Sequence, residues 1–327
     1  KFISNGLDVF ILNFGTQIDY LKQIAFFFIM LPVKIGLQLS VSPYTWGFEL
    51  TPFLITAYFI TMMLFASWCF FKFSKDAAIG VVLFSIFIYF GLTNMPWLPL
   101  IFIYGLIGYR IGGFKLSLTI IASFIFITFT GVLPQALLSI YLCGIAVIIS
   151  FILGASLGIW AAHNDKVSAF MRPINDTMQT MPSFVILIPF VMFFGIGEFT
   201  ALLAIIAYAF VPAMRYTEHG LRNLPETVIE AARMIGCSQT QLLWKVKIPL
   251  AMPVIMLGLN QTIMFGLAML VIAALVGTTG LGQLIYIGLS KADFGTGMIS
   301  GVSIALIAII FDRTTQAWRI KLEKKTQ

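Results

Sequence analysis

The chain has 327 residues, 60% of them hydrophobic and 10% charged, against roughly 45–50% and about 25% in an ordinary soluble domain. So few charges cannot coat a globule of this size, which excludes a soluble fold and leaves lipid as the solvent for most of the chain. The formal charge of +7 comes without a basic stripe interleaved with aromatics, since the 32 Phe lie inside apolar runs, so nucleic acid is excluded as a partner and the charge reads as membrane topology.

Residues 1–49 open the chain as an N-terminal segment whose apolar core, Ile24 to Val33, contains Pro32 and is bounded by Lys22 and Lys34. Leu21, Ile24, Phe28, Leu31 and Ile35 fall on one helical face, which predicts an amphipathic interfacial helix on the outer leaflet; the alternative is a tilted tenth span. Nine apolar runs then approach the roughly 20 residues that cross a bilayer core about 30 Å thick. They lie near residues 50–71, 77–93, 97–109, 116–131, 135–161, 177–197, 199–214, 254–276 and 297–311. The second and third form a hairpin across Asn94, Met95 and Pro96. Sixteen of the 20 basic residues then share one side: Lys72, Lys75, Arg110, Lys115, Lys166, Arg172, Arg215, Arg222, Arg233, Lys245, Lys247, Arg313, Arg319, Lys321, Lys324 and Lys325. By the positive-inside rule those loops and the C-terminus are cytoplasmic, and the segments around Trp46, Trp97, Glu198 and Lys291 are external.

The nine apolar cores contain no Asp, Glu, Lys or Arg, whereas proton-driven carriers need an ionisable group along the path. There is no G-x-x-x-x-G-K-[ST] loop, so ATP hydrolysis by that route is absent and uptake against a gradient needs another energy source. Cys69, Cys143 and Cys237 are far apart and only two histidines are present, which argues against disulfide and zinc frameworks, and no catalytic arrangement is suggested.

Between Tyr216 and Pro253 lies the longest internal polar stretch. Pro225 and Glu226 suit the first turn of a short helix, and Val228, Ile229, Ala232 and Ile235 make its apolar face. Gly236 stops it, because glycine enters the left-handed conformation without a Cβ penalty. Ser238 and Gln241 form a capping-box pattern for a second helix bearing Leu242, Leu243, Trp244 and Val246, with Pro249 as its expected end. Exposed Trp and Leu knobs beside Arg233, Lys245 and Lys247 suit a groove on another protein; packing onto the chain's own membrane domain is the alternative.

Glu230-Ala231-Ala232, Gly236 and Val246-Lys247-Ile248-Pro249 resemble the EAA motif, E-A-A-x3-G-x9-I-x-L-P, of permease subunits in binding-protein-dependent ABC importers. The runs Asp176 to Val185, Phe193 to Gly197, Lys247 to Pro253, Asn260 to Thr262, Gly280 to Gln283 and Asp312 to Ala317 are similar to the glycine betaine/proline-type permease. The resemblance implies an all-α polytopic membrane bundle of the type I, MetI-like kind, with about nine spans. It spans residues 97–318 as a permease core holding the coupling loop 217–253, after additional spans at 50–96 and before a tail at 319–327. It also implies a bacterial inner-membrane location and three protein partners: a separate ATPase carrying the ATP and Mg, an external substrate-binding protein and a second permease copy. No cofactor is expected in this chain, which is a transport subunit and not an enzyme.

The cargo so implied is a quaternary ammonium compound such as glycine betaine, proline betaine or choline; the alternatives are a permease for an amino acid or a sulfonate, and a self-sufficient carrier or channel. Met178, Gln179, Thr180, Asn260, Gln261 and Thr262 are candidate path residues, with interhelical packing as their alternative role. Glu230 is expected to orient the loop through Arg233. Gly154 and Gly158 suit a close helix contact, and Asp312 with Arg313 is expected to anchor the last helix at the inner surface.

Overall fold

The computed structural model describes residues 15–39, 52–72, 81–82, 85 and 97–326. Most of the expected span at 77–93, and the turn at 94–96, lie outside them. The described residues form helices α1 (residues 15–39, with a π-helical stretch at Phe26–Met30), α2 (Pro52–Lys72), α3 (Trp97–Phe129), α4 (Leu133–His163), α5 (Asp165–Thr180) and α6 (Ser183–Phe194). They continue as α7 (Glu198–Arg222), α8 (Glu226–Met234), α9 (Gln239–Val276), α10 (Leu281–Ser290) and α11 (Phe294–Thr326).

Six of these helices are long and apolar enough to cross a membrane, or seven if α5 and α6 count as one bent span, against the nine expected. The six include α1, which is not among the nine, and take α3 as one helix although two of the expected spans lie in it. The runs at 97–109 and 116–131 belong to one helical stretch, α3, which folds back on itself at Gly113, where φ is 76°. Ser117 Oγ donates to Gly105 O at 2.8 Å and the Tyr104 and Phe124 rings stack at 5.1 Å, whereas residues 20 apart on a straight helix stand about 30 Å apart. The two expected spans are therefore the two limbs of this hairpin.

The run at 177–197 is a different case. Pro182 disfavours helix at Met181, which is extended at φ −67°, ψ 130°. The chain bends there by 103°, so only the short α6 is apolar throughout, and the preceding α5 is an amphipathic helix held alongside α7.

The core is the packing of α4, α7 and α9. Gly154 and Gly158 let α7 approach so closely that an added Cβ would stand 2.5 Å from Phe210 O and 2.6 Å from Met214 O. The glycine pair thus serves a helix contact inside one subunit. Leu137, Ile205, Met214 and Met269 fill the surrounding interior. The α10–α11 hairpin closes at Gly288 and Gly297. Asp293 starts α11, accepting from Thr296 N at 3.2 Å and Thr296 Oγ1 at 2.7 Å; these bonds hold its carboxyl below the ordinary value. At the far end of α11, Lys321 Nζ donates to Arg110 O at 2.6 Å, seating that helix against the turn of α3.

These contacts give the bundle two ends. One gathers the α3 turn, His163, Arg222 and α8. The other gathers Glu198, the turn at 277–280 and α1. Although α1 qualifies as a span by length and composition, Lys22 Nζ donates to Phe194 O at 3.0 Å and Lys34 Nζ to Glu198 Oε1 at 2.5 Å. Twelve residues of helix, about 18 Å, thus converge on one turn, which lays α1 across the Glu198 end.

Candidate coupling loop and translocation path

The polar loop at the Arg222 end is closed by local bonds. Pro225 caps α8 from outside, one residue earlier than expected, and Glu226 occupies the first turn. At the other end of α8, Gly236 N donates to Arg233 O at 2.9 Å and Cys237 N to Ala232 O at 3.2 Å. This crossed pair is the Schellman closure. It requires a left-handed residue, and Gly236 supplies it with φ 86°. Gln241 N then donates to Ser238 Oγ at 3.3 Å and Ser238 N to Gln241 Oε1 at 3.0 Å, completing the capping box.

Pro249 does not end the second helix. A π-helical stretch at Leu242–Lys247 precedes it, and the helix runs on as α9 to Val276. Proline lacks an N–H and its ring crowds the preceding turn; the wider π turn absorbs that insertion without breaking the helix.

The loop divides into a packed side and an open side. Ala232 and Leu242 are buried and Leu243 half-buried. Met234 is 88% exposed, Ile235 84% and Trp244 62%. Glu230, Ala231, Gly236 and Pro249 are also exposed. Among the described residues the ion pairs do not include Glu230 with Arg233, so the expected orienting pair is not formed.

The six path candidates fall in two places. Met178, Gln179 and Thr180 sit on the last turn of α5 before the bend, Met178 half-buried and the other two exposed. Asn260 and Thr262 are buried in α9 and Gln261 is half-buried. Asn260 Nδ2 donates to Asp312 Oδ1 at 2.9 Å, and its Oδ1 accepts from Thr315 Oγ1 at 2.6 Å, tying α9 to α11. Thr262 Oγ1 bonds back to Gly258 O at 2.9 Å. Asp312, expected as a surface anchor, is held instead by Asn260 and by Gln316 at 2.8 Å. Pairing across 52 residues has no local signal.

Other polar side chains went unanticipated as a site. A cavity of about 700 Å³ lies between α5 and α7, lined by Arg172, Asn175, Asp176, Gln179, Arg215 and Tyr216 with the last turns of α7. Arg215 pairs with Asp176 across it. Beside it, Arg222 pairs with Asp165 at 2.8 Å and Glu218 at 3.0 Å, and Ser168 donates to Glu218 at 2.6 Å. At the opposite end the Glu198 carboxylate, 14% exposed, receives Lys34, Thr279 and Tyr141. Its position at the start of α7, beside the positive helix end, is the one signal in the sequence that could have marked it.

A bent amphipathic and apolar helix pair, a closed polar loop with an open apolar face and a three-helix apolar core together define a polytopic membrane protein. The chain belongs to the family of binding-protein-dependent transport system inner membrane components, whose signature covers residues 154–318. It is 40% identical over 226 residues to the glycine betaine/proline betaine transport system permease protein ProW of Escherichia coli (strain K12), covering 69% of this chain and 64% of that protein. It is 36% identical to the glycine betaine transport system permease protein OpuAB of Bacillus subtilis (strain 168), covering 72% and 83%. The trimethylamine N-oxide transport system permease protein TmoV of Pelagibacter ubique is 42% identical over 66% of this chain and 30% of its own length. The chain thus spans less than two thirds of ProW and under a third of TmoV. A solved MetNI methionine ABC transporter in an inward-facing conformation shares the fold, with TM-score 0.52 and 18% identity over 58% of this chain and 95% of that one.

Proposed function

We propose that the chain is the permease subunit of an ABC importer that moves a quaternary ammonium compound of the glycine betaine type into the cytoplasm. ATP and Mg reside on a separate ATPase subunit, an external binding protein delivers the solute, and a second permease copy completes the path. The open apolar face of the coupling loop carries this reading. Met234, Ile235 and Trp244 are large side chains left in water on a rigidly capped element, at the end where the basic loops gather. Such a surface is covered in the working assembly.

The relatives' named solutes favour betaines over amino acids and sulfonates. The path needs to hold such a solute only weakly, and the amide, hydroxyl and thioether groups of the six candidates suit that. Nucleotide binding closes the ATPase subunits, draws the two loops together and biases the helices between two access states. In this scheme the basic end and the C-terminus are cytoplasmic, and α1 lies at the external surface.

The docking role is tested by Ile235→Asp and Trp244→Ala, alone and together. Each replaces an apolar anchor on the open side without touching the packed side. Co-purification of the ATPase with the permease is expected to fall on the order of tenfold in the double variant, the range of interface anchor losses, with membrane insertion unchanged. Full co-purification would remove the loop's assigned role.

A further inference from the structure

We infer that the cavity between α5 and α7 is a weak binding site for a zwitterionic solute on the inner side of the path, an inference that rests on the permease reading above. Its volume of about 700 Å³ lies within the range of roughly 300–1,000 Å³ typical of small-molecule sites. The Arg215 guanidinium and the Asp176 carboxylate face each other from α7 and α5, with side chains 39% and 67% exposed. Tyr216 and Gln179 line the same space, and Arg172 adds a second guanidinium.

An exposed pair of this kind holds weakly, and its opening leaves one cation and one anion free. A solute with a fixed ammonium and a carboxylate inserts between them as a double exchange. Its carboxylate takes Arg215 with the bidentate geometry that guanidinium favours, and its ammonium takes Asp176 with the Tyr216 ring available as a cation–π face. Both charges of the pair remain paired. A solute with a single charge opens the same pair and leaves one partner uncompensated, so the arrangement discriminates by charge type.

Two other lining charges, Glu218 and Arg222, do not compete for the solute, and Arg172 adds to the carboxylate side. Glu218 and Arg222 satisfy each other together with Asp165 and Ser168. Asn175, 3% exposed, anchors that wall by donating from Nδ2 to Met214 Sδ at 3.4 Å. Because the site lies just before the 103° bend into α6, occupancy is coupled to the angle of the broken span. A rearrangement of the α5–α7 contact there separates Asp176 from Arg215 and releases the solute.

Saturation-transfer NMR on the complete transporter in nanodiscs, without its binding protein, reads this directly. The probe is the N-methyl signal of glycine betaine, with choline as the cation lacking a carboxylate and acetate as the anion alone. The expected result is a betaine signal that falls on the order of tenfold in Asp176→Asn and in Arg215→Gln, and choline and acetate signals well below it. The double variant Asp176→Asn with Arg215→Gln leaves no unpaired charge to disturb folding and is expected to lose the signal equally. Absence of a betaine signal in the unmodified complex, its persistence in the double variant, or an equal choline signal would each overturn the inference. ATP-driven betaine uptake by the same unmodified transporter, reconstituted in proteoliposomes with its binding protein and measured in parallel, separates the two readings. Uptake without an Asp176-dependent signal defeats the inner site alone, and a missing uptake counts against the permease assignment.

Discussion

Gly236→Pro sharply reduces ATP-driven uptake while leaving the membrane helices in place. Residue 236 sits at φ 86°, and proline is confined near −65°. The substitution also removes the N–H that reaches Arg233 O, and it displaces the Cys237 N–H from Ala232 O. The Schellman closure opens, and α8 loses its fixed angle to the capping box at Ser238. Met234, Ile235 and Trp244 then no longer present one surface. Uptake in proteoliposomes containing the ATPase and binding protein is expected to fall on the order of tenfold or more. Gly236→Ala keeps the N–H and meets only the left-handed penalty of about 1–2 kcal/mol, so its uptake should lie between the two. Normal uptake in the proline variant would mean that the loop transmits nothing.

Gly154→Val combined with Gly158→Val strongly destabilises the core. Any Cβ at these positions meets α7 backbone oxygens at 2.5 and 2.6 Å, and a carbonyl of a packed helix cannot move aside as a flexible side chain would. Overpacking of this kind costs about 1–3 kcal/mol at each site. The expected outcome is a marked drop in the melting temperature of the purified permease and low membrane levels, with Gly144→Ala, which meets nothing within 4 Å, as the tolerated control on the same helix. A glycine pair serving a subunit seam would behave differently, separating the copies while each retained its melting temperature.

What the sequence disclosed was local. The end of α8 at Gly236 and the box at Ser238 and Gln241 rest on bonds between residues three to five apart, and residue type decides those. The two limbs of α3 were legible as separate runs because Arg110, Gly112, Gly113 and Lys115 interrupt the apolar stretch. Pro249 misled, since a proline rule written for a regular α-helix does not hold where a π turn widens the preceding helix. The run expected as a straight span at 177–197 is bent by 103°, which hydropathy alone does not register, although Met181-Pro182 marks it.

The polar contacts between helices were the least legible. Asn260 with Asp312, Glu198 with Lys34 and Asp176 with Arg215 join residues 52, 164 and 39 positions apart. Each residue alone reads as a helix-end or turn group. Only the packing of α1 and α5 against α7, and of α9 against α11, turns them into pairs, which is why the cavity between α5 and α7 had no counterpart in the sequence.

The side of the membrane on which the coupling loop lies is the most direct check on this account. Cys69→Ser with Cys143→Ser leaves Cys237 as the single thiol, placed immediately after Gly236 in the loop. A membrane-impermeant maleimide is expected to label it in inverted vesicles stripped of the ATPase, to label it far less when the ATPase is bound, and to leave it untouched in intact spheroplasts. Labelling in the intact spheroplasts would put the loop on the outer face and contradict an importer driven from the cytoplasm.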